Sequence, residues 1–157
     1  MSHWTYKGEQ YNPEYDDIDA AGFVYIITNK ITDRRYVGKK VFHARRTLKP
    51  LKGKKRRRKV VKESDWRFYE SSCIELKEDI QELGKDNFDF EIVSFHINRT
   101  ELNYAELKLQ FLLEVLDARD KHGEHLFYNR NILTKYYPSP LHWEDRLQLH
   151  EEYLQLK

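Results

Sequence analysis

The chain has one cysteine, Cys73, in 157 residues. That excludes an internal disulfide and a zinc site built on cysteines. No apolar run approaches about 18 residues, so a bilayer-spanning helix is not expected. The stretch MSHWTYKGEQYNPEYDDIDAAG lacks a basic segment followed by an apolar one, so no signal peptide is expected. P-loop and G-x-G-x-x-G patterns are absent. His122-Gly-Glu-His125 has two histidines without the H-E-x-x-H spacing of zinc proteases, and reads as a turn. A reducing, cytoplasmic setting fits this inventory.

What is present is polar but not disorder-like. Hydrophobic residues make up 39%, charged residues 34% and aromatics 14%, and aromatics supply large buried areas. The length suits one domain. A net charge of +2 conceals a strong asymmetry: residues 39–62 (KKVFHARRTLKPLKGKKRRRKVVK) hold 13 Lys/Arg and no acid. The rest holds 15 Lys/Arg against 26 Asp/Glu, a net of −11. One concentrated region therefore seeks anions from an acidic body. A solvated loop or a localisation tract would show the same charge run.

The pattern along the chain predicts an α+β fold, with a small three-stranded antiparallel sheet flanked by helices. Residues 1–21 form an arm that packs by its aromatics. GFVYIIT, residues 22–28, is β-branched and aromatic, as in a buried strand. The turn-prone Asn29–Asp33 leads back into Arg34–Val37, so the two strands make a hairpin. Residues 39–47 start a short helix, stopped by Pro50 and Gly53. Residues 45–62 are a basic insert. Ser72–Leu83 is an amphipathic helix with Gly84 in the C-cap position. FDFEIVSFHI, residues 88–97, is the third strand. A long helix starts from Thr100 and runs to about Ala118, with apolar residues on two faces, so it is expected to be sandwiched. Residues 22–135 make up the domain, and 136–157 a C-terminal helical extension, Leu141–Leu156.

Two features of this layout carry chemistry. With a turn centred between Lys30 and Ile31, Tyr25 and Tyr36 stand directly opposite each other on one sheet face. Such a pair is also an ordinary stacked cross-strand contact. Gly38 on the same face leaves room for a ligand to approach. At 100° per residue, Glu106 lies about 20° from Leu113 and about 40° from Leu102, inside the apolar stripe of its helix. A carboxylate there pairs with a cation, binds a metal, or sits at the edge of a cleft. Beside a phosphate-seeking region, a lone carboxylate suits a hard cation such as Mg²⁺. Trp66 and Tyr69 are core residues or base-stacking ones.

VY at 24–25 followed by YVG at 36–38 resembles the paired elements of the GIY-YIG endonucleases. Arg46, with Arg45 beside it, matches the arginine that the family carries after its second motif. Glu106 in YAELKLQFLLEVL and Asn129 in FYN match its helical glutamate and its asparagine. DWRFYESSCIELKEDIQELGKDNFDFEIV resembles a segment found in many phage-encoded members. The first motif departs from the family by reading FVY. The resemblance covers residues 22–133 and implies a free-standing, Mg²⁺- or Mn²⁺-dependent nuclease on double-stranded DNA. Phage or mobile-element origin, homing among the uses, and the host cytoplasm would go with it. The implied catalytic group is Tyr25, Tyr36, Arg46, Glu106 and Asn129, with Glu106 the metal ligand. A tyrosine positions or deprotonates the water. A phenol has a pKa of about 10, so cations or metal would have to lower it. Lys39, Lys40, Arg45, Lys54, Lys55, Arg56, Arg57 and Arg58 would hold DNA. No small-molecule cofactor or membrane is implied, and cutting both strands from one site needs a homodimer or sequential nicking. The alternative is a non-catalytic nucleic-acid-binding module using residues 39–62.

Overall fold

The computed structural model describes residues 2–14 and 18–138. The expected helix Leu141–Leu156 lies outside the described residues. Two short strands open the chain, β1 (Thr5–Tyr6) and β2 (Glu9–Gln10), followed by β3 (Gly22–Asn29) and β4 (Arg35–Val41). Next come β5 (His43–Leu48), β6 (Arg58–Glu63), α1 (Ile74–Leu83), β7 (Phe88–His96) and α2 (Arg99–Leu112). The main sheet runs β2-β1-β7-β3-β4, and β5 and β6 form a separate two-stranded ribbon.

The fold is mixed α+β, with a larger sheet than three strands. The antiparallel trio β7-β3-β4 is there, and the arm adds two more strands, β1 running parallel to β7. The arm joins because Trp4 is fully buried and its indole Nε1–H donates to the Trp66 carbonyl at 2.6 Å. Its aromatics do pack, and its backbone pairs as well.

The two sheet faces have different covers. Phe23, Tyr25 and Ile27 point into an aromatic core with Trp4, Trp66 and Leu76, which α1 helps to close. Val24 and Val37 point the other way, against Leu102 of α2 and against Val115, Leu116 and Phe127. A register shift opposite Val24 and Tyr25 sets Val93 aside, so Phe95 returns to the core that holds Phe88, Phe90 and Ile92. An extra residue in one strand changes the phase of alternation in this way.

α1 ends as the sequence indicates, at Gly84, whose φ of 88° is one that glycine adopts without steric cost. α2 differs. Its N-cap is Asn98, whose side chain accepts from the Glu101 N–H at 2.8 Å, rather than Thr100. It stops at Leu112, with Glu114 at φ 51°, and the turn delivers Val115 and Leu116 to the core. Nor is α2 sandwiched, since Tyr104, Phe111 and Leu112 are each more than half exposed.

Candidate active site at the edge strand

The site is built on β4, the edge of the main sheet. Its hairpin partner β3 ends at Asn29, whose carboxamide oxygen accepts from Ile31 N–H at 3.0 Å and Thr32 N–H at 3.3 Å. Those bonds, with Asp33 at φ 60°, set a turn centred one residue later than the sequence reading placed it. Tyr25 therefore pairs with Gly38, and Tyr36 with Ile27. The two tyrosines share a face, as expected, but they are diagonal neighbours and not directly opposite. Their ring centroids are 6.2 Å apart, within reach of a diagonal aromatic pair.

The space left by Gly38 belongs to the tyrosines and not to a ligand. A Cβ there would lie 2.5 Å from the Tyr25 hydroxyl oxygen and 2.9 Å from a Tyr36 ring carbon. Glycine is what allows the Tyr25 ring to lie flat over β4. Tyr25 is only 1% exposed, and burial pushes its phenol well above the usual range. Burial also raises Tyr36, to about 12. The Tyr36 hydroxyl is 3.5 Å from the Ser72 hydroxyl. Tyr69 completes the group edge-on to Tyr25, at 6.4 Å.

The expectation that nearby cations lower a phenol is not met. Lys39 forms an ion pair with Glu106, and Lys40 one with Asp65 at 2.5 Å, so both ammonium groups already have carboxylates. Lys40 also lies 3.5 Å over the Tyr69 ring. Glu106 reaches the site from α2, with 14% of its side chain exposed. Burial is the main cause of the raised values of Tyr25, Tyr36 and Tyr69, and the negative charge of Glu106 adds a smaller push in the same direction.

Asn129 fixes the edge itself. Its carboxamide accepts from the Val37 N–H at 3.0 Å and donates to the Val37 carbonyl at 2.9 Å. Gln110 of α2 donates to the same carbonyl at 3.2 Å. One side chain thus does for Val37 what a neighbouring strand would do, between two phenols and the lysine that holds Glu106.

Arg46 is not part of this group. Residues 39–47 form no helix: 39–41 continue β4, and His43–Leu48 form β5. The β-branched Val60 and Val61 pair with Arg46 and Arg45 and draw the segment into a ribbon. Arg46 is exposed and makes no side-chain hydrogen bond or ion pair among the described residues. Arg45 lines a concavity of about 460 Å³ between the ribbon's root and the start of α2. Lys54–Arg58 are exposed, at the ribbon's tip and the start of β6.

Sequence reasoning left Tyr69 undecided between core and bases and did not single out Ser72, although both stand in the quoted segment DWRFYESS. It saw Lys39 as a DNA contact and missed its partner Glu106, because 67 residues separate the two. No described helix is long and apolar enough to cross a membrane. No curated protein and no solved structure matches the chain. A family model described as "Putative endonuclease segE, GIY-YIG domain" matches residues 4–132. A match of that length, from the N-terminal arm through the asparagine that braces β4, means that the chain belongs to the GIY-YIG endonuclease domain family.

Proposed function

We propose that this protein is a metal-dependent DNA endonuclease that hydrolyses phosphodiester bonds at the exposed side of β4. The observation that carries the proposal is that one edge strand, β4, brings together the clustered rings of Tyr25, Tyr36 and Tyr69 and, through Lys39, the Glu106 carboxylate of α2. Phosphodiester hydrolysis needs an activated water, a stabilised pentavalent phosphate and a neutralised leaving oxygen. Tyr36 is the phenol suited to the water, because Tyr25 is sealed in the core. Tyr25 then acts as the support that holds Tyr36 in place. Lys39 supplies a positive charge to the phosphate, and the exposed arginines of the ribbon, Arg45 and Arg46, bind the DNA.

Glu106 would hold the metal. Among the described residues no three His, Cys, Asp or Glu side chains gather as a ligand set. Mg²⁺ or Mn²⁺ needs no such set, taking one or two carboxylates with waters and substrate phosphate. Glu106 already neighbours a cationic group, the Lys39 ammonium, so its position tolerates positive charge. Bound there, the ion would supply Lewis-acid stabilisation of charge on the phosphate oxygens. Asn129 keeps Val37, and so Tyr36 and Lys39, in register.

A non-catalytic nucleic-acid-binding module is the second reading, favoured by the Lys39–Glu106 pair and by the raised phenols. Supercoiled plasmid separates the two. The nuclease nicks it with Mg²⁺ or Mn²⁺, stops with EDTA, and loses activity in Glu106→Ala. A wild type that binds plasmid but leaves it uncut with every divalent ion tried would leave only the binding module.

A further inference from the structure

The basic insert is an ordered, projecting ribbon rather than a solvated loop. β5 and β6 pair over six residues each, from His43↔Glu63 to Leu48↔Arg58. At about 3.4 Å per residue that is about 20 Å of ribbon before the tip. Every residue from 43 to 62 is exposed except Ala44 and Val60, which are half-buried. An isolated two-stranded hairpin is marginal in water, so a ribbon open on both sides gains order from whatever covers it.

Its charge says what that is. The eleven Lys and Arg between residues 43 and 62 face no acid within the segment. None of them makes an ion pair among the described residues. On the body, by contrast, Lys39, Lys40, Arg34, Lys85 and Arg130 each hold a carboxylate. The protein neutralises many of its body cations and leaves the ribbon's uncompensated. The root is fixed, because Arg99 at the start of α2 donates to the His43 carbonyl at 3.2 Å. There Arg45, Arg99 and Asn98 line the concavity of about 460 Å³.

We infer that the β5–β6 ribbon is the groove-reading arm of the protein, and that it lies in the major groove of duplex DNA. That groove is about 12 Å wide and about 8.5 Å deep and admits a two-stranded ribbon. The tip cations Lys54 to Arg57 contact phosphates, and the strand face opposite Arg45 turns Arg46 toward base edges. The root concavity lies against the flanking backbone. The inference rests on the DNA substrate of the proposed function but not on the cutting chemistry.

The test is binding in EDTA, so that it is independent of cleavage. A short labelled duplex is titrated by anisotropy over a range of salt, with wild type and a quadruple variant, K54Q/K55Q/R56Q/R57Q. All four residues are exposed, and an unchanged melting temperature checks the fold. The variant is expected to bind at least about 30-fold more weakly at moderate salt, with a log–log salt slope shallower by about 3. Methyl green, a major-groove ligand, is expected to displace wild type, and netropsin, a minor-groove ligand, is not. The inference is overturned if the variant keeps wild-type affinity and slope, if netropsin alone displaces, or if an RNA hairpin competes as well as the duplex. RNA's major groove is too narrow and deep to admit side chains. A wild type that passes these tests yet never nicks plasmid would refute the nuclease and keep the ribbon.

Discussion

At the residue scale, the proposed nuclease would divide the two tyrosines of one motif into a support, Tyr25, and a working group, Tyr36. Tyr36 has a pKa of about 12, so its phenolate is scarce near neutrality. If it takes the proton from water, single-turnover cleavage rises about tenfold per pH unit from about pH 7 to 10. Tyr36→Phe flattens that dependence and slows cleavage by at least about 100-fold. A Phe variant with the wild-type profile would remove Tyr36 as the base. Gly38→Ala tests the packing, since its Cβ meets both tyrosine rings. The loss, read by denaturant titration, is about 1–3 kcal/mol. His3 adds a pH effect through the fold. Burial is the main cause lowering its pKa from 6.5 to about 4, so the unfolded chain takes a proton first as pH falls. The contribution of His3 to stability is full above about pH 6.5 and declines toward about pH 4. Equal denaturation midpoints at about pH 7 and pH 5 would contradict this.

At the scale of elements, β4 can carry the candidate site because Asn129 braces its open edge. Asn129→Ala leaves the buried Val37 N–H without its acceptor and costs about 1–3 kcal/mol. Cleavage falls with it as β4 shifts, and Asn129→Asp restores the acceptor but not the donor to the Val37 carbonyl. Equal stability of wild type and Asn129→Ala would show that β4 needs no brace. Strands β3, β4 and β7, with α1 and its Gly84 end, were legible because period and turn chemistry are local signals. The alternation in FDFEIV marked a core face, and Glu106 stood out because a carboxylate broke an apolar stripe. The ribbon was not legible. Its two strands are mostly cations, without the apolar alternation that announces a half-buried strand, and Pro50 and Gly53 belong to its turn. The hairpin register was missed by two residues because Asn29 bonds into the turn, and no propensity reports that. The Lys39–Glu106 pair is set by the docking of α2 on the sheet, which one sequence does not reveal.

At the scale of the molecule, an acidic body carries a basic ribbon, and the arm ties the body together. Removing residues 1–13 deletes Trp4 and Tyr11, both buried. Each contributes about 2–3 kcal/mol against a total stability of about 5–15 kcal/mol. The truncated chain should lose cooperative unfolding, and a sharp wild-type-like transition would show the arm to be dispensable. The central claim, that the edge of β4 with Glu106 is where DNA is cut, is tested most directly by Glu106→Gln. This change keeps the shape of the side chain and removes its charge. With the enzyme saturating supercoiled plasmid in Mg²⁺, single-turnover nicking should fall by at least about 1,000-fold, while affinity in EDTA stays within about threefold. Nicking by Glu106→Gln at the wild-type rate would place the chemistry elsewhere.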